Sequence, residues 1–231
     1  TEATSATGAT SSRPQVGVCE LLHSRRFQLL AAAYLGFGLG SWVAVVHLVR
    51  MAMDGGMVEA EAARLLLFLS LGSVLLRLPG AWLADRLGRR LITSLACAVL
   101  CAMHLACVFD ASRGSSAFLS AFSFCVGGFN GIVLSSCPSV PAEVLPPAYR
   151  SLASSAMLSP IGIGFLAGPP VASAIQVATG SYAVAMVFAS ACLGLSAALM
   201  GGVACMTPDA VGKGGVRTVA TPAVEATITR A

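Results

Sequence analysis

Long apolar runs separated by short polar breaks make up most of the chain. Residues 27–49 contain no Asp, Glu, Lys or Arg, nor do residues 91–109 or 114–142, and residues 151–208 are uncharged throughout. A helix that crosses a bilayer needs about 20 such residues. The last run is long enough for two crossings and a turn, and Thr179, Gly180 and Ser181 supply the turn chemistry. Together with 58–84, interrupted by Arg64 and Arg77, the pattern predicts six spans at about 27–50, 58–84, 91–110, 115–142, 151–177 and 182–206. Residues 1–26 read as a linker or tail and 207–231 as a disordered polar tail, because neither has enough large apolar side chains for a core. The run after Arg25 and Arg26 is too long for a signal peptide, so it reads as a first span.

Composition agrees with this reading. The 231 residues are 56% hydrophobic and 10% charged, with a mean hydropathy of +0.83, against roughly 25% charged in soluble domains. The expected fold class is all-α, a polytopic membrane protein. The net charge of +4 records topology, not affinity for nucleic acid, because Lys and Arg accumulate in cytoplasmic loops. Under six alternating spans, Arg13, Arg25, Arg26, Arg86, Arg89, Arg90, Arg150, Lys213, Arg217 and Arg230 fall on one side. Arg50, Arg64 and Arg113 fall on the other, and Arg77 lies within a span. Both termini are therefore expected to be cytoplasmic.

Seven of the eight cysteines lie in apolar runs, where Cys acts as a small hydrophobe. Cys97 and Cys101 share a helical face, but no His or carboxylate completes a metal site, and no cofactor is expected. Gly36, Gly38 and Gly40 inside the first span suit close helix packing. Glu59 and Glu61 suit the start of the second span, where acids complement the helix dipole. His104, in the third span, reads as structural. No carboxylate pair or nucleophile with a base at helical spacing points to an enzyme.

Arg77 is the unusual residue. No Asp or Glu lies in the hydrocarbon part of any predicted span, so it has no intramembrane acid to pair with, and such a residue points to function or to a partner. Snorkelling competes with that reading: Arg77 is seven residues before Ala84, roughly 10 Å from the inner helix end at 1.5 Å per residue. Ser73 lies one turn earlier on the same face. His47 sits near the outer end of the first span, and Asn130 lies in a Gly-rich fourth span whose irregular backbone would be tolerated beside a cavity.

Leu83, Ala84, Asp85, Arg86, Gly88, Arg89 and Arg90 resemble the G-x-L-A-D-R-x-G-R-R loop of the major facilitator superfamily, with Ala81 at the leading glycine. Glu143 and Arg150 resemble its E-x-x-P…R element. The resemblance implies that these residues form a cytoplasmic gating cluster. Physically, Asp85 is placed to cap neighbouring amides, and Gly88 allows a sharp turn. Tyr34 to Gly38, Arg77 with Pro79, Gly168 to Pro170 and Thr179 to Tyr182 resemble the monocarboxylate transporter-like branch. The match is to the C-terminal six helices of such a protein, three plus an inverted three, and implies a missing N-terminal half. In that branch the arginine at the place of Arg77 holds the substrate carboxylate, and an acid stands where this chain has Ser73. The implied function is a plasma-membrane secondary transporter for a small organic anion, with Arg77, His47, Ser73 and Asn130 at the site and a proton or sodium ion as coupling partner. A non-transporting sensor or subunit that keeps the half-fold is the alternative.

Overall fold

The computed structural model describes residues 18–109 and 115–203. The expectations for the two tails, and for Arg13, Arg113, Lys213, Arg217, Arg230 and Cys205, lie outside the described residues.

Among the described residues every regular element is helical. A short α1 (Val18–His23) leads into α2 (Arg25–Asp54), α3 (Glu59–Leu87), α4 (Arg89–Phe109) and α5 (Ser116–Ser136). After these come α6 (Val140–Val144), a 3-10 turn (Pro147–Tyr149), α7 (Arg150–Ala156), α8 (Leu158–Thr179) and α9 (Tyr182–Gly202). Six stretches are long and apolar enough to cross a membrane: α2, α3, α4, α5, the turn with α7 and α8, and α9. Helices suit that setting because each backbone N–H and C=O finds its partner within the segment.

The connections are short and chemically specified. Gly88 alone joins α3 to α4 at φ +97°, a conformation that L side chains rarely adopt. Gly180 closes α8 in the left-handed region, its N–H donating to the Gln176 carbonyl at 2.8 Å. Ser181 then caps α9, its Oγ accepting from the Ala183 N–H at 3.2 Å.

The fourth and fifth spans are broken near one end of the bundle. The fourth apolar run is continuous helix only to Ser136, and Met157 separates α7 from α8. Proline explains the first break: Pro141 has no N–H to offer the Cys137 carbonyl four residues earlier. The buried Tyr34 hydroxyl of α2 donates to that carbonyl at 3.3 Å. The neighbouring Pro138 carbonyl accepts from Ser154 Oγ of α7 at 2.6 Å.

Helix α3 packs on α5, α2 on α8 and α9, and α4 on α9 and α5. Exchanging α2 with α5, α3 with α8 and α4 with α9 turns the α3–α5 seam into the α8–α2 seam and maps α4–α9 onto itself. That is the pattern of a three-plus-three inverted repeat. The two equivalent seams are both built on glycine. A Cβ on Gly38 would lie 2.6 Å from the Ile161 carbonyl oxygen, and one on Gly164 2.7 Å from that of Leu35. In the other seam a Cβ on Gly72 would collide with the Phe124 carbonyl, and one on Gly127 with that of Leu69. Fully buried Tyr34, Phe37, Leu48, Leu100, Met186 and Leu193 fill the centre. The α3 and α8 spans are the least buried.

Candidate functional site

Arg77 stands on α3 with its side chain exposed, donating to Ser73 Oγ at 3.4 Å. Among the described residues the acids nearest to it on α3 are Glu61 and Asp85, roughly 24 Å and 12 Å away along the axis. Helices α4, α5, α8 and α9 carry none, and α2 has only its terminal Asp54. Among the described residues the guanidinium therefore has no carboxylate at its own depth.

The α3–α5 seam has two edges. An apolar groove lined by Phe68, Leu71, Ala121, Phe124 and Cys125 marks one of them. The 3.6-residue period puts Ser70, Ser73 and Arg77 on the opposite edge of α3, and Asn130 on the opposite edge of α5 from Ala121 and Cys125. Gly131 brings these together: a Cβ there would lie 2.9 Å from Ser73 Oγ. Among the described residues Asn130 Oδ1 is buried without a hydrogen-bond partner, an uncommon state for a buried amide. Arg77, Ser73 and Asn130 thus share one edge of the seam.

His47 belongs to a different place. Its Nε2 lies 3.3 Å from the Pro169 carbonyl oxygen and 3.3 Å from Ser173 Oγ, with the ring 5.9 Å from that of Tyr182. It ties α2 to α8 near the end where Arg50 pairs with Asp54 at 3.3 Å. His104 is fully buried, its Nδ1–H donating to the Leu100 carbonyl at 2.7 Å and its ring set edge-on to Phe122.

The opposite end holds the charged cluster. Arg89 grips Asp85 Oδ1 through Nε at 3.1 Å and a terminal nitrogen at 2.7 Å. The amide capping expected of Asp85 is performed instead by Glu143, 54 residues after Arg89. Its Oε1 accepts from the Arg89 N–H at 2.9 Å and its Oε2 from the Arg90 N–H at 3.1 Å. The substitution of roles has a physical reason: α4 is preceded by Gly88, which has no side chain to cap with, and a carboxylate at a helix N-terminus also meets the positive end of the dipole. Beside the cluster, Ala81, Ala84, Asp85, Arg89, Ser135 and Ser136 line a cavity of about 130 Å³. Arg86 lies apart, its guanidinium carbon 4.7 Å from the Trp82 ring centroid. Arg150 opens α7 and is exposed; among the described residues it makes no ion pair with the cluster. Sequence reasoning missed the Tyr34 and Ser154 contacts, although Pro141 four residues after Cys137 was the available signal. It missed the Trp82–Arg86 pair as well, which i, i+4 spacing could have shown.

Comparison with known proteins agrees with this architecture. The chain is similar to monocarboxylate transporter 12 of Xenopus laevis, 27% identical over 181 residues that cover 74% of this chain and 39% of that protein. It is also similar to monocarboxylate transporter 12-B of Danio rerio, 26% identical over 157 residues, 68% of this chain and 33% of that one. The chain thus spans well under half the length of these curated relatives. The sequence pattern of the Major Facilitator Superfamily matches residues 23–228. With six apolar helices in the arrangement above, the chain is a multi-pass membrane protein that belongs to the major facilitator superfamily.

Proposed function

We propose that the chain is the C-terminal six-helix half of a secondary transporter that moves a small organic anion, such as a monocarboxylate, by alternating access. The observation that carries the reading is Arg77, a lasting cation in mid-span with no acid at its depth among the described residues. Its planar fork suits a carboxylate bidentately. Ser73 Oγ orients the guanidinium, and the amide of Asn130 supplies a further polar group on the same edge. His47 acts in this reading as a gate contact, because separation of α2 from α8 would break its bonds to Pro169 and Ser173. Ser73 removes the acid that would carry a coupling proton beside the arginine, so a coupling proton or sodium ion would bind elsewhere. The Asp85, Arg89 and Glu143 cluster closes the cytoplasmic side, with both termini in the cytoplasm and the protein in the plasma membrane.

The test is uptake of labelled monocarboxylates by cells expressing these six helices joined to an N-terminal six-helix half. A charge-assisted pair contributes about 1.5–3 kcal/mol, so Arg77→Gln is expected to lower uptake efficiency at least tenfold while Arg77→Lys retains part of it. Unchanged affinity and rate in Arg77→Gln, or no uptake above an empty-vector control with the joined wild-type protein at the cell surface, refutes the reading.

A further inference from the structure

The three arginines after Trp82 are not equivalent. Arg89 is consumed by Asp85, and the backbone of Arg90 is held by Glu143. Arg86 has no carboxylate within ion-pair distance among the described residues, and its contact is with the indole of Trp82 one turn earlier. A guanidinium stacked on a ring uses its face and leaves its in-plane N–H groups free for an anion. Both residues are exposed, Trp82 by 58%.

Their position names the anion. Trp82 and Arg86 lie on the edge of α3 away from Ser73 and Arg77, continuous with exposed Phe68, Leu71, Leu75 and Leu78. That edge borders the apolar groove between α3 and α5. In a membrane-spanning chain such a surface meets acyl chains, and the last two turns of α3 put Trp82 and Arg86 where the chains give way to headgroups. Indole rings favour that layer, and an unpaired cation there attracts anionic lipid. We propose that the Trp82–Arg86 pair binds the headgroup of an anionic phospholipid, with the Phe68 to Leu78 edge holding an acyl chain. The guanidinium would grip the phosphate bidentately.

Quenching of tryptophan fluorescence tests this directly. The chain has two tryptophans, so Trp42→Phe leaves Trp82 as the sole reporter. The purified full chain is reconstituted into vesicles of brominated phosphatidylserine or brominated phosphatidylcholine mixed with unlabelled phosphatidylcholine. Phosphatidylserine is expected to occupy the site about fivefold more strongly than phosphatidylcholine. Arg86→Gln should bring that ratio to one, while Arg90→Gln leaves it within twofold. Quenching by brominated phosphatidylcholine, equal in all variants, reports that Trp82 stays at its depth. A ratio near one in the Trp42→Phe chain overturns the proposal, as happens when protein covers this edge. Equal losses from Arg86→Gln and Arg90→Gln also overturn it, by showing a diffuse basic surface and no site.

Discussion

Replacing Tyr34 by Phe removes one oxygen from a fully buried ring and tests whether proline chemistry explains the break after α5. Tyr34 donates to the Cys137 carbonyl at 3.3 Å, and Pro141 cannot supply the helical donor that this carbonyl would otherwise have. A buried carbonyl left unpaired costs about 1–3 kcal/mol in soluble proteins. Hydrogen bonds between membrane helices average about 0.6 and reach about 1.7 kcal/mol. The bond is long, so a loss of about 1 kcal/mol is expected, roughly a fivefold change in the unfolding equilibrium. The decisive measurement is a double-mutant cycle with Pro141→Ala, followed by far-UV circular dichroism during denaturant titration in detergent micelles. Pro141→Ala restores an N–H four residues after Cys137, so Tyr34→Phe should cost less in that background, with a coupling energy of about 0.5–1 kcal/mol. Additive losses would refute the idea that Tyr34 stands in for the missing proline donor.

Two further perturbations probe the charged cluster and the seams. Glu143→Gln keeps an acceptor but removes the charge at the start of α4 and one of the two accepting oxygens. It should destabilise by about 1 kcal/mol, with early hydrogen exchange at the Arg89 and Arg90 amides as the local readout; unchanged protection there would exclude the cap. Gly164→Ala introduces a Cβ 2.7 Å from the Leu35 carbonyl oxygen and should cost about 1–3 kcal/mol through overpacking. Gly162→Ala, where a Cβ meets nothing within 4 Å, is the control. Equal thermal stability of the two variants in detergent would show that the seam is looser than its geometry.

Five of the six spans were legible as long runs without charge and the second as a long apolar run interrupted by Arg64 and Arg77, a signal that survives ignorance of every contact. The Gly88 and Gly180 turns were legible for a similar reason, since a turn that needs positive φ selects glycine locally. The cluster was only half legible. Asp85 and Arg89 are four apart on either side of Gly88 and find each other locally, whereas Glu143 reaches α4 only through the packing of the fourth span against it. From sequence, the nearest acid to the helix start looked like its cap, and tertiary structure chose another. His47, Arg77, Ser73 and Asn130 show the same limit. Composition marks each as unusual in an apolar span, but only the Gly131–Ser73 contact puts Asn130 on the edge shared with Arg77, and only Pro169 and Ser173 assign His47 to the α2–α8 junction.

The placement of Arg77 follows from the same seam geometry. Helix α3 is held chiefly along one face, by backbone contacts to α5 that glycine makes possible, and its symmetry mate α8 is held in the same way by α2. Side chains on the remaining surfaces of α3 and α8 are therefore not needed to hold the bundle together. A residue whose burial would be costly can sit there without weakening the core, and the α3 surface carries Arg77. On α4 and α9, whose interface is filled by Ser94, Cys97, Ser190 and Ser196 contacts, an arginine would need an acid beside it. The glycines of the seam and the exposed Arg77 are thus linked features: close backbone approach to one neighbour is what leaves α3 an edge on which a cation can stand without disturbing the core.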